Sequence, residues 1–242
     1  MTDLNVELDW FNYDKQESIV KGDALLKGGR RVILMTTNDH LDILAKSPQI
    51  LADGTFRTTP EPWLQNFIIS AQVCGSVFVP VCFVLLPDKT RESYDNMFCM
   101  LKEALGSRGL ELSAQYFMSD FEVAIRNSFT SHFPDVTPKG CLFHFSKAIL
   151  SKVSKSGFKS DYSNKSSPQF GSFVRAILGF GYVPLYRFKE ALRNLYVLAK
   201  RLTGRQRKFS RRMIEYVEKV WVNGNFPPET RTRFQRSRQK ET

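Results

Sequence analysis

Cysteine and histidine are few in this sequence. Its four cysteines, Cys74, Cys82, Cys99 and Cys141, have no paired spacing, and a chain of 242 residues does not need staples. They read as reduced thiols of an intracellular protein. A structural zinc site would need four ligands. Cys141 and His144 stand three apart, but the other cysteines and the isolated His40 and His132 offer no second pair, so no zinc is expected. The amino end, MTDLNVELDW, lacks a positive stretch followed by an apolar core, so no secretory signal is expected. No internal repeat is visible. Negative charge is scarce toward the carboxyl end. From Lys200 to Thr242 there are 13 Lys and Arg against 4 Asp and Glu, which is nine of the chain's +11 net charges. Such a basic segment suits a polyanion, either nucleic acid or an anionic membrane surface, or it is a solvated helix that aids solubility.

Hydrophobic residues are plentiful at 42%, with 20 phenylalanines. That fills a substantial core, excludes global disorder, and fits one large domain or a domain with an appendage. Phe67–Leu86 runs twenty residues without a charge, about the length that spans a bilayer. Gln72, Gly75, Ser76 and Pro80 interrupt it, and β-branched and aromatic residues dominate. Two buried strands joined by a Cys-Gly-Ser turn is therefore the expectation, with no membrane span.

The chain before Gly28-Gly29 reads as polar and partly helical, and Arg31–Thr37 as a short strand. Asn38–Ser47 reads as a helix capped by Asn38 and ended by Pro48. Three strands follow as an antiparallel meander, Ile50–Phe56, Trp63–Cys74 and Val77–Leu86. Helical spacing then runs from Arg91 to Ser107, a strand occupies Leu112–Met118, and helices occupy Asp120–Phe133 and Phe145–Val153. Between the last two, Pro134–Gly140 reads as a loop and Cys141–Phe143 as a strand end. The order predicts an α/β fold, a mixed sheet flanked by helices. Lys155–Pro168 reads as a hinge. Helices over Phe170–Leu202 and Arg205–Trp221 turn Phe173, Phe180, Tyr186, Phe188, Tyr196, Tyr216 and Trp221 inward, and Asn223–Thr242 reads as poorly ordered. The boundaries are 1–46 for a lead-in, 47–157 for the core, 158–222 for an all-α segment and 223–242 for a basic tail.

Asp53, in LADGTFRTTP, admits two readings. Asp-Gly is a strong turn dipeptide, but a carboxylate at a strand end also serves as a ligand. Asp120, in YFMSDFEVAI, has the same ambiguity. Ser119 and Glu122 form a capping-box pattern that makes Asp120 an ordinary first-turn acid. Yet carboxylates at the ends of neighbouring strands can share a divalent cation, and with a third acid they hold two for phosphoryl transfer. Cys141 and His144 share a face if their segment is helical, either as a half-buried thiol with a capped histidine or as a pair near the acids.

Five stretches in order bear on this: DGTF at 53–56, WLQNF, PVCFVLLPDKTRESY, SDFEVAI and GCLFHFSKAI. Together they resemble the core of Mutator-like element (MULE) transposases, from about Arg31 to Phe158 and more weakly to FPPE at 226–229. The resemblance implies a ribonuclease-H-like fold with an all-α insertion. Asp53 and Asp120 match the first two catalytic, metal-binding aspartates, and Cys141 and His144 match the family's accessory cysteine-histidine motif. Magnesium or manganese is the implied cofactor and DNA the implied partner. A nuclear location and a homo-oligomer are compatible with it. Arg205, Arg207, Lys208, Arg211, Arg212, Arg231, Arg233, Arg236 and Arg238 are the candidate DNA contacts.

The family's third acid, a glutamate after paired asparagines, has no counterpart in FPPETRTRFQRSRQKET, and neither Glu229 nor Glu241 takes its role. Nor is there Cys/His spacing upstream of Arg31 for the zinc-finger-type module such transposases often carry. The chain therefore reads as a truncated or decayed copy with impaired strand cleavage. A DNA-binding protein derived from a transposase is the alternative, and a folded remnant with a solubilising tail the third reading.

Overall fold

The computed structural model describes residues 17–163 and 167–224. The chain divides into two compact units, residues 1–139 and 140–242.

The first unit is built on strands β1 (Val20–Leu25), β2 (Arg31–Met35), β3 (Gln49–Thr55), β4 (Gln65–Cys74), β5 (Val77–Leu86) and β6 (Tyr116–Ser119), with β7 (Thr137–Gly140) closing one edge. The sheet order is β1-β2-β5-β4-β3-β6-β7. The twenty-residue apolar run is two strands, as its composition predicts. β4 and β5 form a hairpin, and β3 pairs with the other side of β4, all antiparallel. β6 joins β3 in parallel. Pro80 has no N–H for the ladder, and the β4–β5 register shifts beside it, between Ile69 and Ser70. The expected mixed α/β sheet with helices is what forms, consistent with a ribonuclease-H-like domain.

Alternation decides the faces. Val32, Leu34, Ile50, Ala52, Phe67, Ile69, Val84 and Leu86 enter one cluster with helices α1 (Asn38–Lys46), α2 (Arg91–Gly106) and α3 (Val123–His132). Ile33 and Leu85 face the other way and pack on Trp63. Along α2, Tyr94, Met97, Phe98, Leu101 and Leu105 are buried at helical spacing. Each such side chain contributes roughly 1.5–3 kcal/mol of transfer free energy. β1 runs under α2 at Gly22, where an added Cβ would lie 2.6 Å from Met100 Sδ. That close approach is why glycine stands inside a strand.

Several local expectations are corrected. Of the segment before Gly28, Val20–Leu25 is strand β1 rather than helix, because its groups pair with β2 in a hairpin, and residues 1–16 lie outside the described residues. The cap of α1 is Thr37, whose hydroxyl accepts from His40 N–H, rather than Asn38. β6 begins at Tyr116 rather than Leu112, and TPKG at 137–140 is a strand rather than loop. α3 begins at Val123, so Asp120 lies before the helix and not in its first turn.

Asp88 staples the start of α2. Its Oδ1 accepts from Thr90 N–H at 2.9 Å and from the Thr90 and Ser93 hydroxyls at 2.7 Å, and Arg30 pairs with Oδ2. Burial opposes the charge, but these donors outweigh it and hold the carboxyl at about 2. In the unfolded chain the value is about 3.9. The stabilisation is therefore present above about pH 4 and lost as pH falls through about 2, worth at most about 2–3 kcal/mol before solvent screening reduces it. In Asp88→Asn, urea midpoints at pH 5 and pH 2.5 should differ less than in the parent chain.

The second unit is helical: α4 (Leu142–Lys155), α5 (Lys159–Ser163), α6 (Pro168–Gly179), α7 (Phe188–Lys200) and α8 (Gly204–Tyr216), then a π-helical turn, Val217–Val222. Its core is aromatic. Phe145 meets Trp221 edge-on at 4.9 Å, Phe158 lies between Phe170 and Phe209, and Phe180 packs on Phe188 at 4.2 Å. The long helix expected over 170–202 breaks around Val183-Pro184, as a proline in the chain demands. Tyr186 is 86% exposed rather than inward, and the Tyr196 hydroxyl reaches Glu218 at 3.0 Å. Residues 1–16, 164–166 and 225–242, the tail included, lie outside the described residues. No helix among the described residues is long and apolar enough to cross a membrane.

Candidate metal centre at the ends of two parallel strands

Asp53 is not the corner of a hairpin. It lies within β3, opposite Ile68 of β4, and Gly54 lies opposite Phe67. β3 and β6 align Gln49 with Tyr116, Ile50 with Phe117 and Leu51 with Met118. β6 ends at Ser119; extended two residues past Leu51–Met118, the register would set Asp53 beside Asp120. Neighbouring strands lie about 4.8 Å apart, and partners in register share a face. Ile50, Ala52 and Phe117 enter the helix-covered cluster, so Asp53 belongs to the opposite face, where it is exposed. Both carboxylates are oriented locally: Gly54 N–H donates to Asp53 Oδ1 at 2.9 Å, and Phe121 N–H donates to Asp120 Oδ1 at 2.6 Å.

Residues 49–148 match the family model of the MULE transposase domain. No curated protein matches the chain. The matched stretch takes in both aspartates, Cys141 and His144, the residues singled out from sequence. Its α/β core is the one expected.

A polar chain behind the strand ends, which sequence reasoning missed, supports the turn that carries Asp120. The buried Gln65 side-chain amide donates to the Tyr94 hydroxyl at 2.9 Å. Burial pushes that hydroxyl's pKa up, and neighbouring Glu122 and Asp120 push it further the same way. Glu122 hydrogen-bonds Tyr94 and pairs with Lys89 at 3.1 Å. Lys89 in turn lies over the Phe56 ring at 4.7 Å. Glu122 is thus diverted from the capping box: its side chain makes no cap bond, and Ser119 bonds Asp120 O instead. Gly54 belongs to the same arrangement, since an added Cβ would lie 2.3 Å from Gln65 Oε1.

Two neighbouring carboxylates fit one hydrated divalent cation. No group of three His, Cys, Asp or Glu able to hold a metal occurs among the described residues.

Cys141 is the N-cap of α4, and His144 sits in the helix's first turn. Burial raises the thiol's pKa, but hydrogen bonds from the His144 side chain and from the His144 and Phe143 backbone outweigh it, so the thiol lies below its ordinary value. Cys82 is the reverse case, fully buried and pushed up to about 12. His144→Asn should therefore move the pH midpoint of Cys141 alkylation upward while Cys82 stays unlabelled in the native protein. Mass spectrometry of iodoacetamide-treated samples checks both. Of the basic candidates, Arg205, Arg207, Lys208, Arg211 and Arg212 lie exposed on α8. Arg231, Arg233, Arg236 and Arg238 fall outside the described residues.

Proposed function

We propose that this chain is a MULE-type transposase domain in which Asp53 and Asp120 hold one magnesium or manganese ion, and that it binds DNA. The observation that supports the reading is the parallel β3–β6 register, whose extension by two residues would set the two aspartates side by side. The MULE match supports a transposase-type function. Asp53 and Asp120 would ligate the ion through carboxylate oxygens, and the Gly54 and Phe121 N–H groups would fix the carboxylate planes. A bound divalent ion supplies Lewis-acid polarisation of a phosphodiester and a nucleophilic water. Glu122, engaged by Lys89 and Tyr94, is poorly placed to act as a further ligand. A two-ion site lacks its third acid in these 242 residues, so strand cleavage by this polypeptide is weak. A nuclear location follows from the DNA partner.

The alternative, DNA binding without cleavage, is favoured by the basic face of α8. Supercoiled plasmid separates the two. Slow nicking that requires Mg²⁺ or Mn²⁺ and disappears in Asp53→Ala and Asp120→Ala supports the metal site. Binding that survives chelator and weakens steeply with salt, with no nicking, supports the alternative.

A further inference from the structure

The second unit contains a groove of about 470 Å³ that the strand-end site does not use. It forms where the end of α4 and the following turn meet α8. Gly157, at φ 78°, ends α4 in the left-handed conformation that glycine tolerates, and the chain turns to bring Phe158 under Arg205. Gln206 donates to Asp161 at 2.8 Å and pins α8 to α5.

Four cations line this groove: Lys152 from α4, and Arg205, Lys208 and Arg212 from α8. The last three recur at three- and four-residue spacing, so they share one helix face. Arg207 and Arg211 do not line it. No carboxylate is among the lining residues, and among the described residues none of the four cations forms a salt bridge. Two lie instead over aromatic rings, Lys152 Nζ 4.2 Å from the Tyr216 centroid and the Arg205 guanidinium 5.2 Å from that of Phe158. Phe209 and Tyr216 are half-buried and complete an apolar floor.

A solvated basic helix needs neither a concavity nor an aromatic floor. A volume in the range of small-ligand sites admits about one nucleotide. Duplex DNA keeps its bases stacked out of reach, so the rings would have no partner there. A single strand offers both parts, a phosphate for the cations and an unstacked base for the rings.

We infer that this groove is a binding site for single-stranded DNA, holding a backbone phosphate with Arg205, Lys208 and Arg212 and one base on Tyr216 and Phe209, in the place that Lys152 takes over the Tyr216 ring. The inference rests on the reading that DNA is the partner, but not on the metal site.

Fluorescence anisotropy of the full chain with a labelled oligothymidylate and with a duplex of equal length tests it. The single strand should bind more tightly, and the one phosphate held in the groove should contribute about −0.7 to the log–log salt slope. Tyr216→Leu keeps apolar volume and should weaken single-strand binding about 5- to 100-fold, as loss of one stacked base does, with little change for the duplex. The exposed pair Lys208→Glu with Arg212→Glu should weaken single-strand binding at least as much, with circular dichroism unchanged. Equal affinity for both DNAs, or single-strand binding unmoved by either variant, overturns the groove. Asp53→Ala with Asp120→Ala should leave this binding intact. Loss of divalent-ion binding there, with groove binding retained, bears on the metal site alone.

Discussion

Asp53→Asn and Asp120→Asn should each weaken Mn²⁺ binding at least tenfold while leaving the fold as stable as before, or more so. A hard divalent cation depends on anionic oxygen ligands, so removing one of two charges removes about half the attraction. The same two charges repel each other across adjacent strands when no cation is bound. Like charges facing each other in a sheet cost about 0.2–1 kcal/mol, and asparagine relieves that while its amide oxygen still accepts the Gly54 or Phe121 N–H. The paired signs are what separate a ligand from a structural acid. Titration of free Mn²⁺ by electron paramagnetic resonance reads the first quantity, and urea midpoints in chelator read the second. If both variants bind Mn²⁺ as the parent does, the carboxylates do not share an ion.

Phe98→Ala should cost about 3–5 kcal/mol of unfolding free energy, the range for emptying a buried phenylalanine site. Phe98 is fully buried on α2 and meets Phe117 of β6 at 5.9 Å, Phe129 of α3 at 5.3 Å, and Phe133 at 6.3 Å. Phe117 and Phe129 stack face to face at 3.7 Å beside it. This side chain therefore ties the helix after the meander to the strand that leads into Asp120. Against a typical stability of about 5–15 kcal/mol, the loss is large enough to see as a drop in denaturant midpoint. A volume-conserving Phe98→Leu should lose less, since it keeps most of the contact. Mn²⁺ should protect Phe98→Ala against urea, because an ion held only by the native strand ends stabilises them by mass action.

Both expectations depend on elements that differ in how plainly the sequence announces them. β4 and β5 were legible because twenty uncharged residues with a central Gly-Ser turn leave few alternatives. The α2 stripe was legible because its apolar residues keep helical spacing. β1 was not, since Gly22 and Asp23 interrupt the apolar alternation and its strand form comes from pairing with β2. β7 was hidden for a similar reason, TPKG having almost no apolar content. Residues 113 and 115 send their N–H groups to Ala45 O and Pro48 O, so the approach to β6 looks like strand in sequence before the ladder begins. At the candidate site, the sequence reading put both aspartates at strand ends; Asp53 lies within β3, two residues from its end, and Asp120 directly after β6. The Gln65–Tyr94–Glu122 chain was not legible, because its members are far apart in sequence and only the packing of α2 on the sheet brings them together.

Side chains along a strand alternate with a period of two. Removing or adding one residue within 49–53 or 116–120 would turn one aspartate toward the helix-covered side and part the pair. The connections at 56–64 and 107–112 can lengthen or shorten without that penalty, since neither sets the alignment of β3 on β6. Tolerance to insertion should therefore switch abruptly at those strand boundaries, and a scan of single-residue insertions would trace the centre without any substitution in it.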